Sequence, residues 1–253
     1  MTILERHRHI LNKLQEAGFV RVADLSQELN VSAVTIRKDL KELEARNLLH
    51  RSHGSASLRA FYVNDRPVGE KENLYASEKL RIAHAAVQRL RPDDAIIIGS
   101  GTTALALARL IPVESRLRVL TSALHVSTAL LHHEQVEVVQ LGGIVRRSSA
   151  STVGPYTEQM IRDFACTKLF LGVDGITLDY GLTTANLMEA HLNRLMIRAA
   201  QQTIVMADAS KFGCKGFGKI CTVEEVDVIL TDEGISAATV GELEARGVTA
   251  EVV

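Results

Sequence analysis

The sequence predicts an α/β protein in two parts: a small N-terminal unit of three helices and a β-hairpin, then a larger doubly wound, mostly parallel α/β unit. Three observations predict it. Apolar residues recur at helical spacing three times within the first sixty residues, and a hairpin-like segment turned at His53-Gly54-Ser55 follows them. From residue 95 onward, near-continuous apolar runs alternate with helical patterns. Runs of that kind, separated by helices, belong to parallel sheets covered on both faces.

In the first unit, Ile3, His7, Ile10, Leu11 and Leu14 form one helical stripe, which stops at Ala17-Gly18. Val22, Leu25 and Leu29 form a second, and Ile36, Leu40 and Leu43 a third. Asn30-Val31-Ser32 separates the last two, with Ser32 placed to cap the third helix. Residues 48–58 read as the hairpin. Three helices plus a hairpin make a winged helix-turn-helix arrangement, so residues 1–58 are expected to form one domain. Residues 59–75 lack a clear period and contain Asp65-Arg66-Pro67 and Gly69, which reads as a linker. The second domain is expected over 76–253. It should open with a helix over 77–90 and carry strands over 95–98, 119–121, 136–140, 168–173, 203–207 and 226–230. Helices over 103–110, 123–131, 155–161 and 187–199 should fall between them.

Composition narrows the function classes. With 253 residues and 46% hydrophobic content the chain can fill a sizeable core. No apolar run approaches the ~20 residues that cross a bilayer, and the charged start lacks a signal-peptide pattern, so a cytoplasmic protein without membrane contact is expected. Cys166, Cys214 and Cys221 form no C-x-x-C pair, which supports neither a disulfide framework nor a zinc ribbon. In His132-His133-Glu134 adjacent side chains point apart, as at a solvated helix end. No metal and no cofactor is expected. Residues 1–59 carry 10 Lys/Arg against 7 Asp/Glu, whereas the remainder carries 19 against 23. Four of the nine histidines, His7, His9, His50 and His53, also lie in the first segment, and that asymmetry hints at nucleic-acid contact there.

With Ile36, Leu40 and Leu43 facing inward, the third helix turns Val34, Lys38 and Lys41 outward, with Thr35 and Arg37 on the flanks. Such a surface suits a major groove. Arg37 and Lys38 can reach guanine edges or phosphates, Thr35 can bond either, and Val34 can touch a thymine methyl. Arg51 and His53 would sit on the wing, beside the DNA backbone or minor groove. Together Val22-Ala23-Asp24-Leu25, Leu29-Asn30-Val31-Ser32, Thr35-Ile36-Arg37-Lys38-Asp39-Leu40, Leu43 and His53-Gly54 closely resemble the DNA-binding segment of the DeoR family of bacterial repressors. The resemblance implies double-stranded operator DNA as partner, and makes Thr35, Arg37 and Lys38 the foremost operator contacts. Asp39 reads as a positioning residue rather than a base reader.

In an open parallel sheet, ligands bind beyond the carboxyl ends of the strands. Here those ends are polar and glycine-rich. Gly99-Ser100-Gly101-Thr102-Thr103 offers a tight turn and free helix amides, which looks like a phosphate cradle. Other strand ends supply Thr121-Ser122, Gly142-Gly143 with Arg146 and Arg147 beyond, Asp174-Gly175 and Asp208-Ala209-Ser210-Lys211. Lys211 can neutralise a phosphate, while Asp174 and Asp208 can accept from sugar hydroxyls or simply cap their turns. Asn186 and Glu189 fit a capping box, the alternative for Glu189 being sugar recognition.

The second unit resembles the DeoR sensor domain over nearly its whole length, and that sensor is similar to ribose-5-phosphate isomerase. This implies a shared sugar-phosphate site made of Gly99 to Thr103, Asp174, Glu189 and Lys211. Two departures bear on chemistry. Where the isomerase pattern has further carboxylates and a lysine-glycine-rich segment, this chain has Ile176-Thr177-Leu178 and Leu182-Thr183-Thr184. Proton shuttling by Glu189 would then lack electrophilic support, so isomerase activity is not expected. Gly99 stands where many relatives have aspartate. The expected function is a non-enzymatic repressor of a carbohydrate operon controlled by a phosphorylated sugar and acting as a dimer or tetramer. The alternatives are an isomerase-like enzyme with an appended DNA-binding segment and a constitutive DNA binder with a degenerate sensor.

Overall fold

The computed structural model describes residues 2–17, 19–46, 48–52, 54–57, 65 and 67–253. Helix α1 (Ile3–Ala17) is followed by strand β1 (Phe19–Arg21), helices α2 (Val22–Glu28) and α3 (Ala33–Ala45), and strands β2 (His50–Ser52) and β3 (Ser55–Ser57). Apart from Ile3, which is exposed, the expected stripes meet in one core of Ile10, Leu14, Val20, Val22, Leu25, Ile36, Leu40, Leu43, Leu49 and Ala56. Ser32 caps α3 by accepting the Thr35 amide at 3.1 Å. The hairpin turns at Gly54, and β1 adds a third strand, giving the order β1-β3-β2. At three residues, β1 is too short to show an alternating pattern in the sequence.

Apolar packing is reinforced by buried polar contacts at Asp39, where His7 Nε2 also lies 3.4 Å from Oδ1. Arg6 grips Asp39 with two hydrogen bonds, Nε to Oδ2 at 2.5 Å and Nη2 to Oδ1 at 2.9 Å, and thereby ties α1 to α3. Burial would raise the Asp39 pKa, but the Arg6 hydrogen bond and charge outweigh it and hold the carboxyl below its ordinary range. Asp39 thus positions the helix that carries Arg37 and Lys38.

The remaining chain alternates strand and helix. It opens with α4 (Val68–Glu72), α5 (Ala76–Val87), β4 (Ala95–Ile98), α6 (Thr102–Leu110), β5 (Leu117–Thr121), α7 (Leu124–Leu130) and β6 (Val136–Gln140). A hairpin of β7 (Ile144–Arg146) and β8 (Ser151–Val153) precedes α8 (Pro155–Ile161) and β9 (Cys166–Gly172). Next come β10 (Gly175–Thr177), β11 (Gly181–Thr184), α9 (Leu187–Ala199), β12 (Ala200–Met206) and β13 (Gly218–Cys221), and the chain ends with β14 (Val228–Thr231), α10 (Ala237–Glu244) and β15 (Thr249–Val252).

Seven strands form a wholly parallel sheet in the order β15-β14-β12-β9-β4-β5-β6. Strict alternation splits its side chains between two cores. Ile96, Ile98, Phe170, Ile204 and Met206 pack with α5, α6 and α7 on one face. Ile97, Leu169, Leu171, Val205 and Ile229 pack with Ile161, Leu192, Met196 and Leu243 on the other. This is the expected doubly wound architecture. The short antiparallel sheet β10-β11-β13, the β7-β8 hairpin, α10 and β15 were not read from the sequence. Helix α4 forms within the stretch read as linker, and its Val68 amide donates to the Ser148 carbonyl at 2.7 Å.

The sheet's order decides where a ligand can sit. From β4 the chain winds outward through β5 and β6, then returns to the other side of β4 with β9 and winds the opposite way. Loops leaving β4 and β9 therefore diverge, and a crevice opens between them at the carboxyl ends of the strands.

Asp39→Ala is expected to destabilise the N-terminal unit by about 3–5 kcal/mol, because the Arg6 charge would remain buried without its partner. Denaturant unfolding of both single variants and of the Arg6→Ala/Asp39→Ala pair measures this; a single-variant cost below about 1 kcal/mol would show that the pair is not a buried clamp.

Candidate ligand site and DNA-reading helix

A cavity of about 370 Å³ occupies the crevice, a volume suited to a small metabolite. Its lining includes Ser100, Gly101, Thr102 and Thr103 after β4, Asp174 after β9, Glu189 on α9, and Lys211 after β12. Seven of the eleven ligand residues expected from the sequence are therefore brought together. Gly101 adopts φ +110° immediately before α6, a conformation that favours glycine, and no side chain caps that helix. The first amides of α6 are left for an anion.

Four cationic side chains face this space: Lys71, Lys79, Arg146 and Lys211. Three have carboxylate partners. Lys71 Nζ donates to Asp174 Oδ1 at 2.9 Å, and Arg146 Nη1 donates to Glu189 Oε2 at 2.8 Å. Arg146 also pairs with Asp65. Lys211 Nζ lies 3.7 Å from Asp208 Oδ2. Lys79 differs. It is 6% exposed, its ammonium donates to the Lys71 carbonyl at 2.5 Å, and among the described residues no carboxylate lies within ion-pair distance of it. Desolvation pulls its pKa down to about 8.

The two carboxylates at the base of the cavity are tuned in opposite directions. Burial would raise Asp174, but the Lys71 charge and hydrogen bond, with the Ala185 amide at 3.0 Å and the Thr184 hydroxyl at 2.9 Å, hold it below the ordinary range. Glu189 is raised by burial, despite the Ser100 hydroxyl at 2.6 Å and the Arg146 guanidinium. The capping-box reading of Glu189 holds only by half. Asn186 accepts the Glu189 amide at 3.1 Å, but the Glu189 side chain turns into the cavity toward Ser100 and Arg146 instead of back to Asn186.

Four expected ligand residues lie outside the cavity lining. Thr121 is fully buried and bonds the Ile98 carbonyl and the Ala123 amide. A Cβ on Gly143 would lie 2.1 Å from Thr157 Oγ1, and Thr157 bonds the Gly142 carbonyl at 2.6 Å, so this glycine pair seats α8. Gly99 packs against Leu171 and the Phe170 carbonyl. Asp208, also considered for sugar hydroxyls, is 1% exposed and caps its own turn through the Ser210 amide at 3.0 Å.

Lys71 and Lys79 were missed by sequence reasoning. For Lys79 a signal existed: it occupies the stripe Lys79, Ile82, Ala83, Ala86 of buried residues on α5, where a lysine is out of place unless it serves a site. Lys71 lies in the expected linker and carried no comparable mark.

On α3, Val34 is 72% exposed, and Arg37 and Lys38 also face solvent. Thr35 is half-buried, its hydroxyl 2.9 Å from Ser32 Oγ. Arg51 is turned back onto α3, with Nε 2.7 Å from Glu44 Oε2, which holds the wing against the helix. His53 lies outside the described residues. Among the described residues no cluster of three or more metal-ligating side chains occurs, and no helix is long and apolar enough to cross a membrane.

Residues 75–233 match the family described as the DeoR C terminal sensor domain, and residues 6–60 match the DeoR-like helix-turn-helix domain. The chain belongs to the DeoR family. An Escherichia coli O157:H7 protein assigned as an aga operon transcriptional repressor is 38% identical over 96% of this chain and 91% of its own length. The transcriptional regulator GlpR of Haloferax volcanii is 34% identical over 97% and 96%. The glycerol-3-phosphate regulon repressor of E. coli K12 is 30% identical over 90% of each chain. These relatives are transcriptional regulators, not enzymes, and the DeoR-family protein described here is a transcriptional regulator of the same two-part build. Among solved structures, ribose 5-phosphate isomerase A of Methanocaldococcus jannaschii aligns over 55% of each chain at 17% identity with a TM-score of 0.41, too distant a likeness to carry an argument.

Proposed function

We propose that this DeoR-family protein represses a carbohydrate-metabolism operon and that a phosphorylated sugar in the cavity sets its operator affinity. The observation that carries the ligand class is Lys79. A buried ammonium with no carboxylate at ion-pair distance is costly, since only the more distant charges of Asp208 and Glu72 favour it, and a phosphate placed against it would supply a direct partner. The uncapped start of α6 and Lys211 border the same cavity. In this reading Lys79, Lys211 and the amides and hydroxyls of Thr102 and Thr103 hold the phosphate. Asp174, Glu189 and Arg146 read the sugar hydroxyls, since together they offer fixed acceptors and donors across the cavity floor. The relatives' names, with an aga operon and a glycerol-3-phosphate regulon among them, favour sugar-related control.

Operator DNA is read in this account by α3, with Arg37 and Lys38 as principal contacts, Val34 and Thr35 beside them, and the wing on the backbone. Domains of 1–58 and 76–253, cytoplasmic residence and a dimeric or tetrameric assembly belong to the same proposal. Two half-sites one helical turn or a multiple apart call for at least two reading helices.

Thermal unfolding against phosphorylated sugars, the matching free sugars and inorganic phosphate tests the ligand class, because a ligand that binds only the folded state raises the melting temperature. A shift with a sugar phosphate but not its free sugar is expected; no shift with any member would reject it. Lys79→Met is expected to weaken that binding by about 1.5–3 kcal/mol and leave operator affinity without effector unchanged. Arg37→Ala should do the opposite, weakening operator binding by about 1–3 kcal/mol while sugar-phosphate binding stays intact.

The Lys79 environment also fixes a pH dependence. Its ammonium is charged below a pKa of about 8 and neutral above it. A bound dianion favours the charged form, so affinity is full at neutral pH and is lost as pH rises through that value. Calorimetric titrations from about pH 7 to about pH 9 should show a fall in affinity with proton uptake on binding; level affinity across that range would place the phosphate away from Lys79.

A further inference from the structure

The cavity is not made by the sensor alone. Leu14 and Ala17 at the end of α1, Phe19 on β1 and Ser57 on β3 contribute to its wall, so the DNA-reading unit closes one side of it. Phe19 meets Tyr75 edge to face, with ring centroids 6.3 Å apart and planes at 79°. Tyr75 sits at the start of α5 in a left-handed conformation, φ 55° and ψ 38°, which a tyrosine holds only where its surroundings fix it.

One residue of the DNA-reading unit reaches past this wall into the sensor. Arg21 Nη2 lies 3.3 Å from Glu78 Oε1 and 3.4 Å from Asp232 Oδ1. Each carboxylate is one step from a cavity cation. Glu78 directly precedes Lys79 on α5. Asp232 is fully buried, and its other oxygen accepts the Ala209 amide at 2.6 Å, which anchors the turn that carries Lys211. The Asp232 carboxylate therefore holds the Lys211 turn with one oxygen and Arg21 with the other.

We propose that Arg21 is the latch through which the cavity's occupancy is transmitted to the DNA-reading unit. The inference rests on the cavity being the sugar-phosphate site. An anion drawn between Lys79 and Lys211 fixes the start of α5 and the Lys211 turn relative to one another, and so fixes Glu78 and Asp232 at the spacing that receives Arg21. Docking in turn completes the ligand's enclosure with Leu14, Ala17, Phe19 and Ser57. Ligand and docking stabilise each other, as reciprocal linkage demands. Arg37 and Lys38 remain exposed in the docked arrangement, so the latch governs the direction in which α3 is presented and does not cover it. Arg21 keeps its side chain 24% exposed at the seam, and its two contacts, at 3.3 and 3.4 Å, are long for charge-assisted hydrogen bonds.

Hydrogen exchange of the full chain, with and without inorganic phosphate and triose, pentose and hexose phosphates, tests the latch. In the wild-type protein, a phosphate that slows exchange over residues 207–211 should also slow residues 19–22, each by about tenfold. In Arg21→Gln, and independently in Glu78→Gln, residues 207–211 should still respond while residues 19–22 do not. An undiminished response of residues 19–22 in both variants, or none in the wild type while residues 207–211 respond, would overturn the latch but leave the sugar-phosphate site standing. If no cavity segment of the wild type responds to any of these phosphates, the site itself is refuted and the latch with it.

Discussion

One buried cation of the sensor, Lys79, has no carboxylate at ion-pair distance among the described residues. Lys79 is buried on a stripe that otherwise carries Ile82, Ala83 and Ala86, and its ammonium has only a backbone carbonyl to bond. Burying a cation in that way is unfavourable, and desolvation already draws its pKa down to about 8. The other three cavity cations are neutralised from within the chain: Lys71 by Asp174, Arg146 by Glu189 and Asp65, and Lys211 by Asp208. The polar floor of the cavity is thus paired within the chain, and Lys79 alone of the four cations lacks a carboxylate at ion-pair distance among the described residues. That pattern suits a sensor, whose ligand-free state need only remain folded while its bound state gains the missing pair.

The sheet makes such a site possible because its parallel strands bring the ends of β4, β9 and β12 together at the reversal of strand order. No peptide segment in this region has the full site alone. Ser100 to Thr103 lie after β4, Asp174 after β9, Glu189 on α9, Lys211 after β12 and Lys79 on α5. The buried strand side chains fix these loops with little freedom, and Gly101 lets the backbone turn into α6 with its amides uncapped. In the N-terminal unit, Asp39 likewise ties α3 to α1 through Arg6.

How much of this was legible in the sequence follows from burial. Central parallel strands are covered on both faces, so 95–98 and 136–140 stood out as apolar runs and recur with those bounds as β4 and β6. Helices α8 and α9 likewise recur with the bounds the pattern gave, because Pro155 and Asn186 mark their starts. Short elements without a continuous apolar run, such as β1, β10 and α4, offer too little length for a period to register. The site was legible where polar residues follow a strand directly. It was not legible where a side chain arrives from elsewhere, as Lys71 and Lys79 do, nor where a strand-end polar residue such as Thr121 is turned inward to bond the neighbouring strand. Tertiary context also decided Glu189, whose backbone is capped by Asn186 while its carboxylate serves the cavity.

The central claim is that occupancy of this cavity changes operator affinity. Operator titrations of the full-length protein at fixed salt, run with and without each phosphorylated sugar and its dephosphorylated counterpart, test it most directly. The account predicts that a phosphorylated sugar shifts operator affinity by about 5- to 150-fold, while its free sugar does not. A phosphorylated sugar that demonstrably binds the cavity yet leaves operator affinity unchanged would contradict it.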